Sequence, residues 1–113
     1  SSPIAMVLVV AATDRELAPA DGWSTLLCGV GPVDAAARTA AAISGRRPSA
    51  ILHVGIAGTR RTRALAPASL VIGIEARYHD LRVPAHFAPS IARPSAALVA
   101  AVSRVLPTAP RLP

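Results

Sequence analysis

Three stretches of this chain place small residues or an acid directly after an apolar run. Ile4–Ala11 runs into 12–16, Ser24–Cys28 into 29–33, and Ala50–Val54 into 55–61. In open α/β sheets ligands bind beyond the carboxyl ends of the strands, so these turns are the first places to look for chemistry. Small residues there let backbone N–H groups approach a ligand closely. Gly55-Ile56-Ala57-Gly58 reads as a backbone wall against a sugar or phosphate, or as plain close packing. Glu16 is a carboxylate just past the first run. It suits a general base or a water-positioning group; taken by itself it reads as a solvated acid at a helix start. Gly29-Val30-Gly31 lacks the third glycine of a dinucleotide fingerprint, and no GxxxxGK[ST] loop occurs, so on its own it is a tight turn.

A fourth segment, Glu75-Ala76-Arg77-Tyr78-His79-Asp80, concentrates polar groups after another apolar run. Tyr78, His79 and Asp80 suggest a metal or catalytic cluster. The only other nearby histidine is His86 and no HExxH spacing exists, so hydrogen bonds that fix the loop are the expected role, and no metal is expected. A Ser-His-Asp hydrolase lacks its GxSxG elbow. Cys28 is the single cysteine, which excludes an intrachain disulfide and a CxxC site.

Composition narrows the class. The chain has 113 residues, one domain at most, and 52% of them are apolar, so it is not disordered. Aromatics are confined to Trp23, Tyr78 and Phe87, which leaves Ala, Val, Leu and Ile to build the core. The formal charge of +6 is carried by arginine alone. Arg46-Arg47 and Arg60-Arg61-Thr62-Arg63 have no aromatic interleaving and no nucleic-acid motif, so no nucleic-acid partner is expected. No apolar run is long enough to span a bilayer, and Ser1-Ser2-Pro3 lacks a signal-peptide charge pattern. A cytoplasmic protein without a membrane partner is the expectation.

These segments need a scaffold. The unbroken apolar run Ile4–Ala11 suits a strand buried on both faces, as in a parallel sheet. Thr13-Asp14-Arg15-Glu16 has the spacing of a capped helix start, stopped by Pro19 and Asp21-Gly22. Strands are expected at Ser24–Cys28, Ala50–Val54 and Leu70–Ile74. A helix from Asp34 to Ile43 should begin at Pro32 and end at Ser44-Gly45. A second, Pro94–Leu106, should align Leu98, Val99, Val102 and Val105 on one side. Strand–helix–strand order implies parallel pairing. The prolines at 107, 110 and 113 suggest a linker or the broken edge of a larger domain. The fold class expected is α/β: a mixed, largely parallel sheet flanked by helices.

Taken together, Ala12-Thr13-Asp14-Arg15-Glu16-Leu17, Gly29-Val30-Gly31-Pro32-Val33-Asp34-Ala35-Ala36, His53-Val54-Gly55-Ile56-Ala57-Gly58 and Glu75–Asp80 resemble, in order and spacing, the nucleoside phosphorylase/nucleosidase superfamily. The likeness leans to the hydrolytic branch, methylthioadenosine/S-adenosylhomocysteine nucleosidase and futalosine hydrolase, with a slight tilt to the latter. That branch cleaves the N-glycosidic bond of a purine-type nucleoside with water and needs no cofactor. The resemblance implies that Glu16 holds the attacking water and that Ile56, Ala57 and Gly58 line the ribose and water site. It places Val83, His86 and Phe87 across a homodimer interface in the neighbour's pocket, and gives Tyr78-His79-Asp80 a structural role.

The departures point the same way. His53 stands where the phosphorylases carry a phosphate-binding arginine, and Ile56 replaces a phosphate-binding serine. Losing a charge-assisted phosphate partner disfavours an anion site. Arg60 and Arg61 nearby leave a phosphorylase of the same fold as the alternative, and a non-catalytic nucleoside-binding domain is the other. The likeness covers the family's N-terminal part alone, as residues 1–113 of a single, truncated domain. Its purine-binding strand, its ribose-gripping Met-Glu pair and its leaving-group Asp have no counterpart here. The expectation is that these 113 residues alone are inactive, since a missing general acid costs roughly 10²–10⁴-fold.

Overall fold

The computed structural model of the chain describes residues 6–17, 23–60, 65–80, 83–84 and 86–113. The chain divides into two compact units, Ser1–Gly58 and Thr59–Pro113.

The first unit is built on β1 (Val7–Ala11), β2 (Ser24–Leu27), α1 (Pro32–Arg46) and β3 (Ala50–His53), with a single 3-10 turn at Asp14–Glu16. The three strands form one parallel sheet in the order β2-β1-β3. The central position explains the unbroken apolar run of β1: Leu8 to Ala11 are all buried, Leu8 and Ala11 completely. The edge strands β2 and β3 instead alternate half-buried and exposed residues. Leu8 and Val10 pack with Cys28 and Ala42, flanked by Leu26 and Ala35, so the alanine face of α1 lies on one face of the sheet. Alanine suits this contact because it allows close approach and favours the helix.

The ladder continues past the strand ends. Cys28 N–H donates to the Ala11 carbonyl and Val54 N–H to the Val10 carbonyl, both at 2.9 Å. Because all strands are parallel, 12–16, 28–31 and 54–58 leave the sheet at one edge.

Helix α1 starts at Pro32 as expected but runs through Ser44-Gly45 to Arg46. Its stop is Arg47, in the left-handed region at φ 47°, whose N–H donates to the Ile43 carbonyl. The helix end is also tied down: Arg46 Nη1 donates to the Thr25 carbonyl at 2.8 Å and to Ser24 Oγ at 3.3 Å. The 44–45 pair therefore lies inside a helix whose last turn is held from β2.

The second unit holds β4 (Ile72–Gly73), β5 (Ala76–Arg77), β6 (Ile91–Ala92), α2 (Ala96–Val105) and β7 (Arg111–Leu112). Two short pairs form, β4 with β7 in parallel and β5 with β6 antiparallel. Thus the fourth apolar run does not join the three-stranded sheet; it pairs with the tail. The proline-rich end is not a loose linker. A proline lacks an N–H but its carbonyl still accepts, and Ile72 N–H donates to the Pro110 carbonyl at 2.8 Å. Helix α2 is capped by Ser95, whose Oγ accepts from Leu98 N–H. Val99 and Val102 are half-buried, but Leu98 is exposed and Val105 is 77% exposed, so the expected apolar side is covered only along its middle.

Among the described residues, no helix is long and apolar enough to cross a membrane. The architecture is α/β, with a parallel three-stranded sheet packed by α1 in the first unit and α2 beside β4 in the second.

Candidate functional site

Glu16 is carried to the carboxyl edge of the sheet by the 3-10 turn that follows β1. Glu16 N–H donates to the Thr13 carbonyl and Leu17 N–H to the Asp14 carbonyl, closing the turn. A longer helix does not form. The capping arrangement predicted at Thr13 is also absent: its side chain bonds no backbone N–H of the turn. The Thr13 hydroxyl donates instead to Glu16 Oε1 at 2.9 Å.

The other carboxylate oxygen reaches across forty residues of sequence. Glu16 Oε2 accepts the backbone N–H of Ile56 at 3.0 Å. Two of the three candidate segments are thereby joined at one point. The Val54–Val10 hydrogen bond anchors the loop one residue before Gly55. Gly55 then lets the carboxylate pass, since a Cβ there would lie 2.9 Å from Glu16 Oε2. Ile56 presents its side chain outward at 86% exposure, and Ala57 and Gly58 are also exposed. His53 ends β3 and is exposed.

The half-buried carboxylate is an acceptor with both oxygens engaged once. Each oxygen has two lone pairs, so further acceptor capacity remains for a donor from solution. A backbone N–H given to a carboxylate contributes about 1.5–3 kcal/mol in a dry site, and less where water competes. The site can therefore hold an O–H group and orient it against the Gly55–Gly58 backbone.

The glycine turn after β2 borders the same edge. Gly29 has φ 82° and Gly31 φ 97°, conformations that favour glycine. Gly31 is followed by Pro32 as the first residue of α1. Val30 and Val33 are both exposed there.

In the second unit the polar segment is arranged differently from expectation. Among the described residues, the side chains of Tyr78, His79 and Asp80 make no hydrogen bond, and all three are exposed. The loop is held by Tyr78 N–H donating to the Ser90 carbonyl at 2.8 Å and by the Glu75 carboxylate, which pairs with Arg77 and Arg93. Glu75 keeps only 12% of its side chain exposed, so two guanidinium groups balance a largely covered charge. A shallow depression of about 540 Å³ lies beside this strand pair, lined by Tyr78, His79, Asp80 and Ser90 among others. Val83, His86 and Phe87 are exposed, and the His86 and Phe87 rings sit 4.4 Å apart. Among the described residues no group of three His, Cys, Asp or Glu is placed to hold a metal ion. Arg61 and Arg63 lie outside the described residues.

Glu16 and the loop stand out in the sequence, whereas the Thr13 contact does not, because the Thr-x-x-Glu spacing has the same appearance as a local cap. The Ile56 N–H carries no side-chain signal at all.

The family model of the Phosphorylase superfamily matches residues 22–110. No curated protein and no solved structure matches the chain.

Proposed function

The chain belongs to the phosphorylase superfamily, and from that premise we propose that its first unit carries the sugar-and-water side of a purine-type nucleoside hydrolase. In this reading Glu16 accepts a proton of the attacking water. The water oxygen bonds to the anomeric carbon as the C–N bond breaks, and the base leaves with the bonding pair. Ile56, Ala57 and Gly58 line the ribose. Methylthioadenosine-type nucleosides and futalosine are the candidate substrates, in a cytoplasmic enzyme that needs no cofactor. Val83, His86 and Phe87 are proposed to complete a second protomer's pocket in a homodimer; the exposure of Val83 and Phe87 supports this.

The observation that carries the reading is the Ile56 N–H bound to Glu16 Oε2. The loop amide that would otherwise face an anion is already given to a carboxylate. A second anion about 4 Å away is repelled by about 1 kcal/mol per unit charge in water, and by about 4 kcal/mol at an effective dielectric of about 20. That repulsion offsets the roughly 1.5–3 kcal/mol a charge-assisted hydrogen bond to phosphate would contribute. A neutral O–H donor meets no such opposition. His53 and Ile56, in place of an anion-binding pair, favour the same choice.

Calorimetric titration of the chain tests this. The expected outcome is saturable binding of methylthioadenosine or futalosine, unaffected by inorganic phosphate and weakened at least tenfold by Glu16→Gln. Glutamine keeps one acceptor oxygen but replaces the other with a donor, so the negative charge and half of the acceptor capacity offered to a ligand are lost. Saturable binding of inorganic phosphate by the chain, or a nucleoside affinity that rises with phosphate, would favour phosphorolysis instead.

A further inference from the structure

We infer that Thr13 is a positioning residue that selects the working orientation of the Glu16 carboxylate; the inference rests on the nucleoside-hydrolase reading of this site. Glu16 has freely rotating side-chain bonds, and one contact at Ile56 fixes one oxygen without fixing the carboxylate plane. The second contact, Thr13 Oγ1 to Oε1 at 2.9 Å, fixes the other. Two donors on opposite oxygens hold the plane between the 3-10 turn and the loop.

The arrangement has a chemical consequence. A hydroxyl has a single proton, and Thr13 commits it to Glu16. Around this carboxylate, the Thr13 hydroxyl and the Ile56 amide thus both point their donors inward. What remains for a ligand are the lone pairs of the Glu16 carboxylate and of Thr13 Oγ1, two types of acceptor side by side. The site then selects for a ligand that brings donors: water, or a sugar hydroxyl. Thr13 occupies the N-cap position of the turn, yet its side chain reaches none of the turn's N–H groups. Its hydroxyl is therefore spent on the carboxylate alone, and the turn does not need it.

The test compares the 113-residue chain with Thr13→Val, which keeps the shape and removes the donor, and Thr13→Ser, which restores the donor. Amide exchange at Ile56 and the Glu16 carboxyl carbon resonance are read without ligand, with the Leu8 and Val10 amides as the folding control. Thr13→Val should shift the Glu16 resonance and speed Ile56 exchange by roughly tenfold, the size of one net hydrogen bond. Thr13→Ser should restore both. A Thr13→Val chain with wild-type values, or a serine variant that fails to restore them, overturns the inference. If Thr13→Val unfolds the chain, Thr13→Ala takes its place with the same expected shifts. A titration with methylthioadenosine separates the two claims. Loss of any ligand response with the Thr13 dependence intact would count against the nucleoside reading alone. A ligand response unaltered by Thr13→Val would count against Thr13 alone.

Discussion

The carboxylate of Glu16 is placed by contacts that belong to three different kinds of group: a hydroxyl, a backbone amide and a missing side chain. The missing side chain is at Gly55. A Cβ there would sit 2.9 Å from Oε2, but the atom it meets is the far end of a flexible chain. Gly55→Ala should therefore displace the carboxylate rather than the backbone. The expected outcome is a change in melting free energy of less than about 1 kcal/mol, as for surface substitutions in general, together with loss of the Ile56–Glu16 hydrogen bond. Thermal unfolding paired with the Ile56 amide resonance would check it; a large stability loss with that resonance unmoved would contradict it. Glu16 was legible as an acid beyond a strand because polarity changes abruptly at 12–16. Its partner was not, because an amide forty residues away has no sequence signature, and because Thr13, immediately before the turn, has the spacing of a side-chain cap.

At the scale of elements, strands and helices with a strong local pattern were readable and those held by distant partners were not. The run in β1 is buried because two strands flank it, and the alanines of α1 follow from close packing on that sheet. The ends depended on tertiary contacts. Arg46 bonding β2 extends α1 past a glycine that would otherwise end it. Pairing with β4 turns the proline-rich tail into β7. The two glycines after β2 give a graded prediction. Gly31→Ala meets nothing within 4 Å and suffers only the strain of its backbone at φ 97° and ψ 156°, about 1–3 kcal/mol. Gly29→Ala adds a Cβ 3.2 Å from that of Asp34, so denaturant titration should show the larger loss there. Equal losses would mean that α1 can shift its first turn without cost. Ser95→Ala, which removes the cap of α2, should lower stability by about 1 kcal/mol in the same assay.

At the scale of the whole molecule, the family match at 22–110 spans both compact units, while the Glu16 site lies wholly in the first. The division into units was not legible, because the Gly55–Gly58 turn reads as a site loop, the arginine cluster at 60–63 reads as a solvated surface, and apolar runs occur on both sides. Charge distribution bears on partners. Arg46, Arg77, Arg93 and Arg111 are engaged with β2, Glu75 and Ser103, so those positive charges act in holding elements together.

The central claim is that Glu16 commits the Gly55–Gly58 loop to a neutral O–H donor rather than to phosphate. Amide resonances of Ile56, Ala57 and Gly58 report on it directly when the chain is titrated in parallel with inorganic phosphate and with methylthioadenosine or futalosine. The account predicts saturable movement of these amides with nucleoside and none with phosphate. Saturable movement of Ile56 with phosphate would contradict it.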